Sequence, residues 1–215
     1  MPYKLSPSSL SLMTECERCF WIEHNLKKKR PSGIFPSLPS GMDRILKEHF
    51  DRFMEKGKMP PELKELKDFK LFSDVSLLKI WRNNLKGIIF KDNEGNILHG
   101  AIDNLLVKDN KLIVLDYKTR GFPLKEDTHE KYQNQLDIYN FLLRENGFDT
   151  ENYSYLLFYY PEHVLETGEV VFETKLIKMT TDAGNGLRLF SKALKLLKGE
   201  CPSKCICEWC HLVEI

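Results

Sequence analysis

Apolar and polar positions are most regularly ordered between residues 100 and 119. Two short apolar runs, 101–107 and 111–118, flank Lys108-Asp109-Asn110-Lys111. A polar pair between such runs predicts a two-residue hairpin, with Asp-Asn a weaker turn signal than Asn-Gly or Asp-Gly. If Asp109 and Asn110 form the loop, Lys108 pairs with Lys111, Val107 faces Leu112 and Leu105 faces Val114. The same count sets Asp103 opposite Asp116 and Ala101 opposite Lys118. Residues two apart on a strand share a face, so Asp103, Asp116 and Lys118 project from the side that carries Leu105, Val107, Leu112 and Val114. Ile102, Leu106, Ile113 and Leu115 make the opposite side apolar as well, so helices are expected over both faces.

The rest of the chain arranges itself around this hairpin. Ser6 caps a predicted helix running to Asn25, and 31–39 reads as an irregular, proline-rich loop. Ser40 caps a second helix, about 41–56, with Ile45, Leu46, Phe50 and Phe53 near helical spacing. Residues 62–81 are polar and poorly periodic and read as helical pieces and loop. Strands follow at 87–90 and from Ile97, joined by the Asp92–Gly95 turn, so that three antiparallel strands precede Lys118. A helix is expected over about 128–144, a buried strand over 153–160, a loop over 161–168 and one or two strands over 170–179. Thr181 or Asp182 then caps a last helix with Leu187, Phe190, Leu194 and Leu197 on one face, ended by Gly199. This order of elements predicts a single α/β sandwich domain over 1–215, a central mixed sheet with helices on both faces.

Composition narrows the class. At 215 residues, with 42% hydrophobic and 29% charged residues, the chain suffices for one well-buried domain. A net charge of +1 gives no global basic footprint, so any nucleic-acid contact must come from local patches such as Lys27-Lys28-Lys29-Arg30. No apolar run is long enough to span a bilayer and residues 1–12 do not read as a signal peptide, which points to a cytoplasmic protein with no membrane partner. In that compartment the six cysteines favour metal binding or free thiols over disulfides.

Two carboxylates opposed across a hairpin repel one another, and an apolar surface sharpens the repulsion. A divalent cation relieves it, and hard oxygen ligands favour Mg2+ or Mn2+. A lone Asp-x-Lys is common on solvated hairpin ends; a second carboxylate in register is what sets this one apart. The cysteines cluster at the two ends of the chain. Cys16-x-x-Cys19 and Cys207-x-x-Cys210 supply four thiolates for zinc or an iron–sulfur cluster, a clip between residues 1–30 and 200–215. Cys201 and Cys205 are further candidates.

Gly100-x-x-Asp103, Asp116-x-Lys118 and Gln135-x-x-x-Tyr139 stand in the order found in RecB-like members of the PD-(D/E)XK nuclease superfamily. Leu5-Ser-Pro-Ser-Ser-Leu10 with Cys16-Glu-Arg-Cys-Phe20 resembles the same proteins. The cysteine-rich C-terminal stretch is similar to that of the iron–sulfur exonucleases of CRISPR adaptation and of AddB-type nucleases. The resemblance implies that Asp103, Asp116 and the backbone carbonyl of Tyr117 bind the catalytic metal and that Lys118 orients or activates water. Gln135 and Tyr139, one helical turn apart, would shape the site and contact DNA. In the iron–sulfur relatives one N-terminal and three C-terminal cysteines hold the cluster, which makes Cys16, Cys201, Cys205 and Cys210 an alternative set. RecB-like nucleases carry a metal-binding His four residues after a Gly in the early helix; here Gly41 leads to Ile45, and His49, one turn further, is the stand-in, with Asp43, Glu48 and Asp51 nearby. The implied function is a Mg2+- or Mn2+-dependent deoxyribonuclease, an exonuclease on single strands or ends in repair, recombination or defence, with a helicase or a CRISPR or repair protein as partner. The alternative is a catalytically inactive DNA-binding subunit on the same fold.

Overall fold

The computed structural model describes residues 2–31, 33 and 36–213. The chain runs β1 (Lys4–Leu5), α1 (Pro7–Glu15), α2 (Glu17–Trp21), α3 (Ser37–Glu55), β2 (Lys70–Leu71), α4 (Val75–Trp81), β3 (Ile88–Lys91), β4 (Ile97–Gly100), β5 (Asn104–Lys108), β6 (Lys111–Thr119), α5 (Gln133–Glu145), β7 (Tyr153–Val164), β8 (Val170–Thr180) and α6 (Ala183–Lys198). A π-helical turn, Ile22–Leu26, extends α2, and a 3-10 turn, Glu130–Tyr132, leads into α5.

The β5–β6 hairpin forms in the expected register, with Lys108 opposite Lys111, Val107 opposite Leu112 and Leu105 opposite Val114. Asp109 and Asn110 both take positive φ, 49° and 62°, the two left-handed residues of a type I′ turn. From the hairpin a five-stranded sheet grows in the order β2-β5-β6-β7-β8, with β6 and β7 parallel and the other pairs antiparallel. Its two faces separate by residue parity, as pleating demands. Leu105, Leu112, Val114, Leu156 and Phe158 point toward α1, α5 and α6, where they meet Leu10, Leu136, Leu142 and Phe190. Leu106, Ile113, Leu115, Tyr117 and Leu157 point toward α3 and meet Leu46, Phe50 and Met54. Each fully buried Leu or Phe contributes about 1.5–3 kcal/mol, so both helix layers are held by the sheet rather than by their own propensity.

Three sequence expectations are corrected. The strands before Lys118 do not form one meander: β3 and β4 leave the main sheet and join β1 in a separate three-stranded sheet, β1-β4-β3. The break falls at 101–103, where the chain's hydrogen bonds go to α4 instead: Ile102 N–H donates to the Trp81 carbonyl at 3.1 Å, and Arg82 Nε donates to the Asp103 carbonyl at 2.6 Å. The ladder therefore ends at Asn104–Leu115, and Ala101 and Asp103 do not pair with Lys118 and Asp116. Next, α3 begins at Ser37 rather than near Gly41, with Pro39 inside its first turn, where a missing N–H has no intrahelical partner to lose. Residues 32, 34 and 35 of the loop expected over 31–39 lie outside the described residues. Lastly, β7 continues through Pro161 to Val164, because the register shift between Pro161 and His163 is a bulge that accommodates a proline. Two caps form as expected: Ser6 caps α1 by accepting from Ser9 N–H, and Asp182 caps α6 by accepting from Gly184 N–H, whereas α5 starts at Gln133 rather than about 128 and Leu187 of α6 is exposed.

Candidate active site

Asp116 lies on β6 and points, with Leu112 and Val114, toward α5. Its side chain is 1% exposed. Gln135, in the first turn of α5, reaches down to it: Gln135 Nε2 donates to Asp116 Oδ1 at 3.2 Å and to the Tyr139 hydroxyl at 2.8 Å. The Gln135 carbonyl oxygen accepts from Lys118 Nζ at 3.2 Å, so one amide holds both β6 side chains in place. Lys118 Nζ lies 2.5 Å from Asp116 Oδ2. Lys118 is thus the partner of Asp116 Oδ2, a buried oxygen that no second group reaches. Burial pushes the Asp116 carboxyl up to about 6, with Lys118 opposing the shift and Asp103 adding to it. For Lys118, burial works against the charge, but Asp116 and Asp103 outweigh it and hold the ammonium above its ordinary value.

Asp103 sits where the chain leaves the sheet, so its carboxylate can reach the same cleft from the end of β5. The Tyr117 N–H donates to Asp103 Oδ2 at 3.3 Å, which seats the carboxylate beside Asp116 despite the lost ladder pair. Asp103 Oδ1 meets Lys47 Nζ of α3 at 3.1 Å. Lys47 also pairs with Asp43 Oδ2, one turn earlier, at 2.8 Å. Asp43, Lys47, Asp103, Asp116, Lys118, Gln135 and Tyr139 all line one cleft of about 1140 Å³. Ser8 and Ser11 of α1 form one wall and Lys131, Tyr132 and Asn134 another.

Gly100 explains part of this packing. A Cβ at that position would lie 2.7 Å from Tyr139 Cε1 and 3.0 Å from Leu142 Cδ1. Only glycine lets α5 approach closely enough for Gln135 to touch Asp116.

A scan against protein families matches residues 37–215 to the PD-(D/E)XK nuclease superfamily. The chain belongs to that superfamily. Membership points to nuclease activity in general, and nucleases of this superfamily usually work with divalent metals. A search of the curated proteins gives no match. The matched stretch starts at the first residue of α3 and takes in every carboxylate and lysine described above.

The donor set fits a hard divalent cation. Two carboxylates from adjacent segments converge in one cleft, and hard carboxylate oxygens set side by side are the donors such a cation takes. The early helix contributes differently from the sequence expectation. His49 does not line the cleft; its Nε2 lies 3.0 Å from Glu62 Oε1, and its ring packs against Phe50 and Phe53. Glu62 also accepts from the Tyr159 hydroxyl at 3.0 Å, so His49 belongs to a polar cluster beside α3. Asp51 pairs with Arg82 at 2.7 Å and Glu48 with Arg44 at 3.4 Å, which leaves Asp43 as the acid of α3 that lines the cleft. Lys47 escaped sequence reasoning altogether. The one signal for it was the Asp43–Lys47 spacing of four, which on a helix surface usually marks a solvated pair.

A second cluster lies at the junction of the N-terminal helices and the last described residues. Cys16, Cys19, Cys207 and Cys210 present sulfurs all within 4.8 Å of one another. Cys16 Sγ is 3.8 Å from Cys210 Sγ, Cys19 Sγ 3.1 Å from Cys207 Sγ, and Cys207 Sγ 3.5 Å from Cys210 Sγ. Thiolates around one tetrahedral ion lie about 3.8 Å apart, given a bond of about 2.3 Å. Burial opposes ionisation at Cys207, yet the backbone N–H groups of Cys210 and Trp209 and the Cys19 thiol bring it down to about 6. Burial pushes Cys19 up to about 11. Cys201 and Cys205 lie at the edge of this group: Arg18 Nη1 points at Cys201 Sγ from 3.8 Å, while Cys205 Sγ donates to the Cys207 carbonyl at 3.1 Å and also reaches the Cys210 thiol. Arg30, from the basic run, is tied to Glu15 at 3.0 Å. Among the described residues no helix is long and apolar enough to cross a membrane.

Proposed function

We propose that this chain is a RecB-like, Mg2+- or Mn2+-dependent deoxyribonuclease that hydrolyses phosphodiester bonds. Its substrate on this reading is single-stranded DNA or DNA ends, and its setting is repair, recombination or defence beside a helicase or a CRISPR or repair protein in the cytoplasm. The observation that carries the reading is the meeting of the Asp103 and Asp116 carboxylates with Lys118 in one cleft.

Asp103, Asp116 and the Tyr117 carbonyl would hold the cation. When bound, a divalent ion there supplies positive charge against the phosphate and makes water a stronger nucleophile. Lys118 carries the rest of the chemistry that this chain's own groups can do. Its ammonium, fixed by Gln135 and Asp116, orients the attacking water or meets negative charge as it develops on phosphorus. Gln135 keeps both side chains in one geometry, and Tyr139 braces Gln135. The Ser8 and Ser11 wall offers uncharged donors to backbone phosphates, which suits a chain of nearly zero net charge.

The four cysteines are assigned a structural metal, iron–sulfur or zinc, that fastens the α1–α2 unit to residues 201–213. Anaerobic purification with visible spectroscopy and metal analysis tells the two apart. The decisive test of the whole reading is an assay on end-labelled single-stranded DNA with Mg2+, Mn2+ or chelator. Metal-dependent degradation supports it. A mobility shift without cleavage under every metal condition would mean the inactive DNA-binding alternative instead.

A further inference from the structure

We infer that Lys47 is a built-in cation occupying the place of a second metal ion, so that this cleft works with a single divalent ion. The inference rests on the nuclease reading and deepens it. Lys47 Nζ stands between two carboxylates that belong to different layers: Asp43 Oδ2 on α3 at 2.8 Å and Asp103 Oδ1 beside the sheet at 3.1 Å. Any second ion that used both of these carboxylates would have to take the volume the ammonium fills. The lysine is not a loose surface group. Its side chain is only 23% exposed, and although burial works against its charge, Asp103 and Asp43 hold it above the ordinary lysine value.

The other half of the cleft is arranged differently. Asp103 Oδ2 accepts from Tyr117 N–H and Asp116 Oδ1 from Gln135, while Asp116 Oδ2 faces the Lys118 ammonium at 2.5 Å. Lys47 does not reach Asp116, so the edge of the cleft between Asp116 and Asp103 is where a single ion would bind. Charge counting agrees. Glu15, Asp43, Asp103, Asp116 and Glu130 line the cleft with Lys47, Lys118 and Lys131, which leaves two net negative charges. One divalent ion cancels them. Two would overshoot and crowd cations against one another in the same cleft.

The test counts ions. Protein loaded at its cysteine site is titrated with Mn2+ and free Mn2+ is read by electron paramagnetic resonance, while DNA cleavage is measured across the same Mn2+ range. The wild-type chain should bind one Mn2+ that Asp116→Asn abolishes, and cleavage should rise with a Hill slope near one. Lys47→Met, which keeps the stem and removes the charge, should bind two, and Lys47→Arg should return the count to one. Should Lys47→Met fail to fold by circular dichroism, Lys47→Gln serves the same purpose, and the wild-type count still decides. Two ions on a wild-type chain that cleaves DNA, or one ion on a folded, uncharged variant, would overturn the role of Lys47 alone. No bound Mn2+ on a chain that does not cleave would overturn the nuclease reading with it.

Discussion

The carboxylate cleft and the cysteine cluster solve the same problem in opposite ways. Each brings together groups that repel one another once ionised. In the cleft the fold supplies its own counter-charges: Lys118 at Asp116, Lys47 at Asp103. Among the four cysteines, three short sulfur–sulfur contacts do the joining, and the Arg30 guanidinium at Cys19 faces a group of four thiols. A cleft that neutralises itself should keep its shape when metal leaves, whereas a cysteine cluster that relies on metal should not. On the proposed reading, the first suits an ion that exchanges and the second one that stays.

The sharpest break of this comparison separates activity from stability. Asp116→Ala and Lys118→Ala should each lower DNA cleavage by about 10³-fold or more while the melting temperature stays within a few degrees of wild type. Cleavage retained by the purified variants would remove this cleft from the chemistry. The converse holds at the cysteines. Cys16→Ser or Cys210→Ser should lower the melting temperature by about 10 °C or more and strip the bound metal, because ligand loss there is lost folding energy. An unchanged melting curve for both would show that the thiols carry no metal. A mild chelator that empties only the cleft should stop cleavage and leave the melting curve in place.

A third outcome concerns acid. Because the metal-free Asp116 carboxyl sits at about 6, protons compete with the cation below that value. The concentration of Mn2+ for half-saturation should be flat above about pH 6.5 and rise roughly tenfold per pH unit below about 6. An ordinary, solvated carboxylate would keep it flat down to about pH 4. Calorimetric titration without DNA reads this directly. The smallest effect is expected at Gly100. Gly100→Ala would drive a methyl group into the Tyr139 ring, cost about 1–3 kcal/mol and loosen Gln135 above Asp116. Its cleavage should fall severalfold, and a variant as stable and as active as wild type would show that α5 needs no such close approach.

The hairpin register and both sheet faces were legible because a period of two and a two-residue turn leave little freedom. That Asp103 and Asp116 share a cleft was also legible, although not for the stated reason. The ladder between them is absent, and a Tyr117 N–H does the joining. What the pattern could not show is competition for hydrogen bonds from afar. Nothing around Ile102 announces that the end of α4 will take its N–H and split the meander into two sheets. His49 and Lys47 were misjudged for a related reason. On a helix, which polar face meets a cleft depends on the partner, and Glu62, the partner of His49, lies in the least periodic stretch of the chain. Helix phase alone cannot distinguish them.

The Cys16–Cys210 contact joins residues separated by 194 positions. During biosynthesis the first thiol emerges early and must wait, reduced and unpaired, while every strand of both sheets is made. On the proposed metal reading, loading follows the synthesis of every strand and closes a loop of 194 positions, and a long loop is where a cross-link restricts the unfolded ensemble most. On the same reading, a cell short of that metal would accumulate chains whose sheet and cleft are formed but whose cysteine segments hang open to proteases.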